Sequence, residues 1–424
     1  MLETIVRLLN EAETDGWEIT DTCTEGWEFY FIRHALDQHR VKHTEHIDVN
    51  VYRKFDEFLG KAGAEIPVTA SEDEIRELIG KLSKEALYVR NPVYTLNEPV
   101  SLEAQPEEAP DVRAIAKDFI QLMNELPETE TEDINSYEIF VNSERRRFLN
   151  SNGIDVTSVC PSSMLEVVVN ARRDGHEIEL YRLYTSGSCD REHLKEEISQ
   201  TLSFGKDRLN AEKTPNFGKC DVLFSTDAVT SICEYFISRV EASMKFRKLT
   251  DWEIGKPIAA EQNGDRVTVK AVRTLKNSSK NSAFDKEGAP VRDLTLIRDG
   301  IAENYWGSRQ YSSYLGVKDS FIPGNFSVEG GTKSEAEIRS GTYLEVVEFS
   351  DFQVEAITGA IAGEIRLGYL HEGDSVKIVS GGSVSGTMTD FVKDMEMSAE
   401  QKQYDNLLVP SLIRLKQVSV TGAE

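Results

Sequence analysis

Apolar residues recur with two periods along this chain. Met1 to Leu9 show a helical spacing behind Glu3. Trp27–Ile32 and Ile47–Phe55 alternate instead, with Val49, Val51 and Arg53 on one face against Asn50 and Tyr52, which predicts strands. Ser71-Glu72-Asp73-Glu74 has the form of a capping box, and Ile75, Leu78, Ile79 and Leu82 then share one helical face. Residues 97–110, with three prolines and many acids, predict a loop or linker. Val112, Ile115, Ala116, Phe119 and Met123 define the next buried helical stripe.

An acidic loop, Glu128–Asp133, leads into short strands at Tyr137–Val141 and Arg146–Leu149. Asn152-Gly153 suits a primed hairpin turn, because both residues tolerate positive φ. Met164–Ala171 and Glu177–Tyr184, joined through Arg173-Asp174-Gly175, predict a second hairpin. A charged helix over about 190–210 turns Leu194, Ile198, Leu202 and Leu209 inward, and the proline and glycine of 212–218 suggest a boundary.

Beyond it the runs become strand-like, at Thr342–Phe349, Ala362–Leu370, Ser375–Ile378 and Leu412–Val420, the last interrupted by Lys416. Helical spacing returns at Asp227–Ser243, behind the strand Asp221–Phe224, and near Ser334–Ser340. The expected fold class is α+β in two domains. Residues 1–212 form a mixed α/β domain, and residues 213–424 a β-rich domain with a curved antiparallel sheet.

A net charge of −25 over 424 residues opposes general nucleic-acid binding, since a polyanionic surface repels phosphates. Arg145-Arg146-Arg147 is the best local basic patch, with a solvated hairpin edge as its plainer reading. Five cysteines without paired spacing fit reduced thiols in a cytoplasm. No apolar run approaches the roughly 20 residues that span a bilayer. Four of the seven histidines, His34, His39, His43 and His46, cluster; His39 and His43 would share a helical face, with a polar helix-to-strand connection as the alternative to a metal site. Cys233 falls in the apolar stripe of Val229, Ile232, Phe236, Ile237 and Val240, so it reads as core. His371-Glu372-Gly373-Asp374 reads as an exposed turn, and Gly382-Ser383-Val384-Ser385-Gly386 as a turn that only imitates a nucleophile elbow.

The conspicuous polar segment is 282–300. Asp285, Glu287 and Asp293 offer oxygen ligands for a hard cation, or else belong to a loop entering Leu294–Ile297, with Arg298-Asp299-Gly300 turning the chain back toward Tyr305. Asn304, Tyr305 and Trp306 are candidate residues of a groove that accepts a peptide by strand addition, against an aromatic strand facing the core.

These residues resemble the TldD/PmbA family, once called modulators of DNA gyrase, and are closer to its TldE (PmbA) branch. The resemblance rests on Cys220–Ser225, on Phe284-Asp285-Lys286-Glu287-Gly288-Ala289-Pro290 with Ile297-Arg298-Asp299-Gly300, and on Gly341–Val346, Ile357–Ala360 and Val384–Thr387. Pro323-Gly324-Asn325 stands where the family has threonine-glycine-asparagine. The match spans essentially the whole chain, weakest before Ser136. Phe284, Asp285, Glu287, Gly288, Asp299 and Gly300 are then its signature loop. The resemblance implies a two-domain protein whose TldD branch is a zinc metallopeptidase, with histidine-glutamate-x-x-x-histidine on a signature helix and a cysteine ligand near the C-terminus. Here that helix carries Cys233, Glu234 and Ser238 and no histidine, and the region around Asn406–Val409 has no cysteine. No catalytic residue, metal ligand or cofactor is therefore expected. The implied role is a non-catalytic subunit that binds peptide or unfolded polypeptide, as a homodimer or with a TldD-like catalytic partner. A divergent metal-dependent peptidase using the 34–46 histidines, and a standalone peptide-binding scaffold, are the alternatives.

Overall fold

A computed structural model describes residues 1–100 and 110–423. The first sheet is built from β1 (Gly16–Ile32), β2 (Ala35–Phe55), β3 (Phe58–Ile66), β4 (Asn91–Pro92), β5 (Glu132–Asn150), β6 (Asp155–Arg173) and β7 (His176–Ser186). They lie side by side in the order β4-β3-β2-β1-β5-β6-β7, all antiparallel. Four helices cover one face. α1 (Leu2–Glu11) and α2 (Glu72–Ala86) bury Ile5, Leu8, Ile75 and Ile79 against Ile19, Val49 and Val51. α3 (Val112–Met123) and α4 (Arg191–Leu209) bury Phe119, Leu122, Ile198 and Leu202 against Ile139, Val141 and Val167. Each such side chain contributes about 1.5–3 kcal/mol relative to exposure. The capping box at Ser71 forms as the spacing predicts, with Ser71 and Glu74 exchanging bonds.

Several local expectations are corrected. Residues 34–46 are neither helical nor a connection; they belong to one long β1–β2 hairpin, turned at Arg33 and His34, both at positive φ. Most side chains of 35–46 are exposed, so backbone pairing holds this end, and pairing leaves no alternation of apolar residues to read. The two short strands expected within 137–149 are a single strand, β5. Arg145–Arg147 therefore lies between two neighbours rather than on an edge. At the β5–β6 turn only Gly153 has positive φ, so the turn is not of the doubly primed kind. Tyr52 is buried like Val49 and Val51, because Tyr94 and Leu96 cover the second face there. The loop expected at 97–110 lies largely outside the described residues; 97–100 have no regular structure.

The second half contributes β8 (Glu212–Lys213), β9 (Gly218–Phe224), β10 (Val269–Val272), β11 (Leu294–Arg298), β12 (Ile301–Ala302) and β13 (Asn325–Val328). Then follow β14 (Tyr343–Val354), β15 (Ala360–Glu372), β16 (Ser375–Ser380) and β17 (Ser383–Thr387). Last come β18 (Glu396–Met397), β19 (Gln401–Tyr404), β20 (Leu407–Pro410) and β21 (Ile413–Thr421). One sheet runs β14-β9-β21-β17-β15-β16-β8, and β14 also pairs with β15. The curved sheet thus closes a ring of five strands, with one parallel pair, β9–β14. A second sheet runs β12-β11-β10-β13-β20-β19. Between them sits α5 (Ala228–Arg239), whose Val229, Ile232, Cys233 and Phe236 lie in a core shared with Val222, Val346 and Ile413.

The helix expected over 227–243 ends at Arg239. Glu241 is extended and bridges to Trp306, the Ala242 N–H bonds to the Trp306 carbonyl, and a short helix, α6 (Ala242–Phe246), follows. A tertiary contact therefore outcompetes helical continuation. Residues 383–386, expected as a turn, are strand β17, with the turn moved to Gly381-Gly382 at positive φ. The expected turn forms at Gly373-Asp374 and joins β15 to β16, but His371 lies within β15 and stacks on Tyr343 with ring centroids 4.4 Å apart. The break expected near Lys416 is a bulge between Leu415 and Val418, with Gln417 at positive φ.

Candidate functional site

A cleft of about 570 Å³ opens between the two halves, lined by residues of 182–204, 226–230, 276–277 and 401–407. One wall is Arg182–Ser186 of β7, the edge strand of the first sheet. The opposite wall is Gln401–Asn406, including β19, the edge strand of the second-half sheet. α4 contributes His193, Glu197 and Thr201, and the start of α5 contributes Thr226, Asp227 and Thr230. A strand with a neighbour on one side only presents unpaired backbone donors and acceptors on the other. Two such edges face this cleft.

Its charges are mostly satisfied locally. Lys402 donates to Glu197 at 2.6 Å, Lys276 reaches Asp190 at 3.4 Å, and Arg182 pairs with Glu348. The Tyr404 hydroxyl is buried without a hydrogen-bond partner among the described residues, and burial, with Glu197 nearby, raises its pKa. A buried hydroxyl left unpaired costs about 1–3 kcal/mol, which a carbonyl entering the cleft would relieve.

The zinc chemistry of a metallopeptidase needs imidazole or thiolate ligands converging on one point. The cleft holds one imidazole, His193, beside hydroxyls, amides and carboxylates, and among the described residues no group of three histidine, cysteine or acidic side chains converges. The donor set does not fit zinc. Cys233 is buried in the core, where desolvation raises its thiol pKa; Glu234 points to the exposed side of α5, and Ser238 lies outside the cleft. The face of α5 turned to the cleft is Asp227 and Thr230, about one turn earlier than the expected degenerate-site residues. The clustered histidines also stay apart: His34 binds Glu128, His43 meets Glu25 and His46 binds Glu65 along the hairpin.

The signature loop has a different task. Asp285 is buried and accepts from the backbone N–H groups of Glu287, Ala289 and Ile322 at 2.7–2.9 Å. Burial nevertheless pushes its pKa up to about 6. Glu287 accepts from the Arg309 N–H, and Asp293 from the Arg273 N–H. The three carboxylates thus tie three separate pieces of backbone and do not form a cation cage. Phe284 bridges to Pro290, and Gly288 lies against Phe148 and Ile154 of the first half. Asp299-Gly300 makes the expected tight turn, but the returning strand is only β12.

The proposed groove residues are also committed to structure. Tyr305 is buried and donates to the Trp252 carbonyl, Trp306 donates to the Ile237 carbonyl, and Asn304 donates to the Thr295 carbonyl. None of the three lines the cleft. Sequence reasoning placed a strand at Glu177–Tyr184, within β7, but not its part in the cleft, and it missed Thr230 and Tyr404, because no local motif marks a site assembled from stretches so far apart.

Residues 217–422 match the family described as the PmbA/TldA metallopeptidase C-terminal domain. No curated protein matches the chain. Among solved structures it resembles TldE from Thermococcus kodakarensis, with a TM-score of 0.77 at 16% identity over 99% of this chain and 100% of that one. A protein from Thermotoga maritima described as a modulator of DNA gyrase gives a TM-score of 0.78 at 16% identity, over 99% and 100% of the two chains. One of the same description from Bacteroides thetaiotaomicron gives 0.79 at 15% identity, over 99% and 98%. At these identities the likeness establishes the fold. Residues 217–422 are thus similar to the C-terminal domain of that family, and the chain as a whole shares the fold of these three proteins.

Proposed function

We propose that this chain is a non-catalytic, TldE-like subunit that holds an extended peptide in the cleft between β7 and β19 and supports a TldD-like catalytic partner. The carrying observation is the pair of sheet edge strands lining one cleft, where a peptide backbone can pair as an added strand. The unpartnered Tyr404 hydroxyl adds a donor for a peptide carbonyl. The donor set around α5, poor in imidazole and thiolate, supports a binding role over a peptidase role. The same reading treats 1–212 and 213–424 as separate domains, with the cleft at their junction. Cytoplasmic residence and homodimerisation or heteromeric assembly belong to it too. No helix among the described residues is long and apolar enough to cross a membrane.

Titration of a labelled unstructured peptide tests the cleft. Tyr404→Phe should weaken binding about five- to tenfold, the worth of one hydrogen bond of about 1–1.5 kcal/mol. Thr230→Arg, which fills the cleft from α5, should weaken it further. Equal affinity in wild type and both folded variants would refute the assignment.

A further inference from the structure

The second cavity between the two halves has a different character. It is about 210 Å³, smaller than the 300–1,000 Å³ or so typical of drug-sized ligands, so it suits a single small group. Its floor is the face of β5 and β6 opposite the helices. Arg146 and Ser158 are directly paired across the two strands there, as are Glu144 and Cys160. Its roof is the signature loop, with Lys280, Ser282 and Lys286, and the Pro323-Gly324 turn.

Three cations, Arg146, Lys280 and Lys286, line this small space, and among the described residues none has a carboxylate within ion-pair distance. Their neighbours behave differently. Arg145 pairs with Asp21 and Arg147 with Asp155, on the opposite face of the strand. In a chain of net charge −25, carboxylates are abundant, so three unpaired cations around one cavity run against the composition. Ser158 is only 6% exposed, lines the same cavity, and its hydroxyl has no hydrogen-bond partner among the described residues. The carboxylate of Asp285 is already engaged by three backbone N–H groups, which leaves Glu144 as the wall's one uncommitted acid.

We infer that this cavity is an anion site for a phosphate group, either free or carried on a small molecule or a phosphorylated side chain. Arg146 would supply a planar fork of donors, Lys280 and Lys286 would act as point charges, and Ser158 would add a hydroxyl donor from the floor. The floor belongs to the first half and the roof to the second, so an anion here also bridges them.

The test is titration of the full chain with inorganic phosphate and, separately, O-phosphoserine, followed by calorimetry. Saturable binding is expected for at least one. Arg146→Gln and Lys286→Gln should each weaken it about tenfold, the equivalent of one charge-assisted contact. Glu144→Gln should tighten binding, because it removes the opposing charge. Lys276→Gln, in the other cleft, should leave it unchanged. Lys286 is exposed, so its variant keeps the test valid if Arg146→Gln fails to fold. Equal affinity for both probes indicates a free ion, and preference for phosphoserine indicates an attached phosphate. No saturable binding of either, or affinities indifferent to Lys286→Gln and Glu144→Gln, would overturn the inference.

Discussion

Asp285 illustrates how a single buried carboxylate reports on the fold. Desolvation raises its pKa from the ordinary 3.8 to about 6, even with three backbone donors in place. The sign follows from linkage. The folded state holds the proton more tightly than the unfolded chain, so this contribution is fully present below the unfolded pKa and lost as pH rises through about 6. A shift of this size corresponds to about 3 kcal/mol. Asp285→Asn removes the titration and sets an amide donor against one of the backbone N–H groups, at a cost of about 1–3 kcal/mol in acid. Denaturant unfolding from acid to neutral pH should show the gap between wild type and Asp285→Asn narrowing as pH rises. A gap independent of pH would contradict the burial argument. Position 285 was legible as polar and special from its glycine- and proline-bounded loop. Its three backbone partners were not, since Ile322 lies 37 residues away. Cys233 was fully legible as core, because the stripe around it alone dictates burial.

The signature loop acts as an element through Gly288. At φ +73, a Cβ there would stand 2.8 Å from Phe148 and 2.9 Å from Ile154, both on the first half. Gly288→Ala should therefore cost about 1–3 kcal/mol, from backbone strain and overpacking combined. A thermal melt should show it as a lowered midpoint, whereas Gly373→Ala, at positive φ in open space, should lose only the backbone part. Equal losses would mean that the loop does not press on the first half. Elements with a buried stripe, such as α2, α3 and α4, were readable because burial writes its period into the sequence. The outer half of the β1–β2 hairpin was not, because exposed strands held by backbone pairing carry no such period. The end of α5 was misread for a related reason: its apolar stripe continues through Val240, but the bridge from Glu241 to Trp306 breaks the helix.

At the scale of the molecule, the helix-covered sheet and the five-stranded ring meet along α4, whose Ile198 and Leu202 share a core with Val347 and Leu367 of the second half. The same helix lines the larger cleft, so that junction positions it. The α+β class and a β-rich second half were visible in the chain's periodicities. The closure of the ring and the facing edges of β7 and β19 were not, since they depend on pairings across hundreds of residues. The aromatic residues expected to line a groove at 304–306 pack into the core of the second half instead: Tyr305 is part of it and Trp306 lies against it. The account's central claim concerns what this assembly does with a peptide, and peptidase turnover measured with three samples tests it most directly: the chain alone, a TldD-like partner alone, and the two co-purified. The account predicts no cleavage by the chain alone, a stable complex, and faster turnover by the complex than by the partner. Cleavage by the chain alone, or a partner that is equally active and never associates with it, would contradict it.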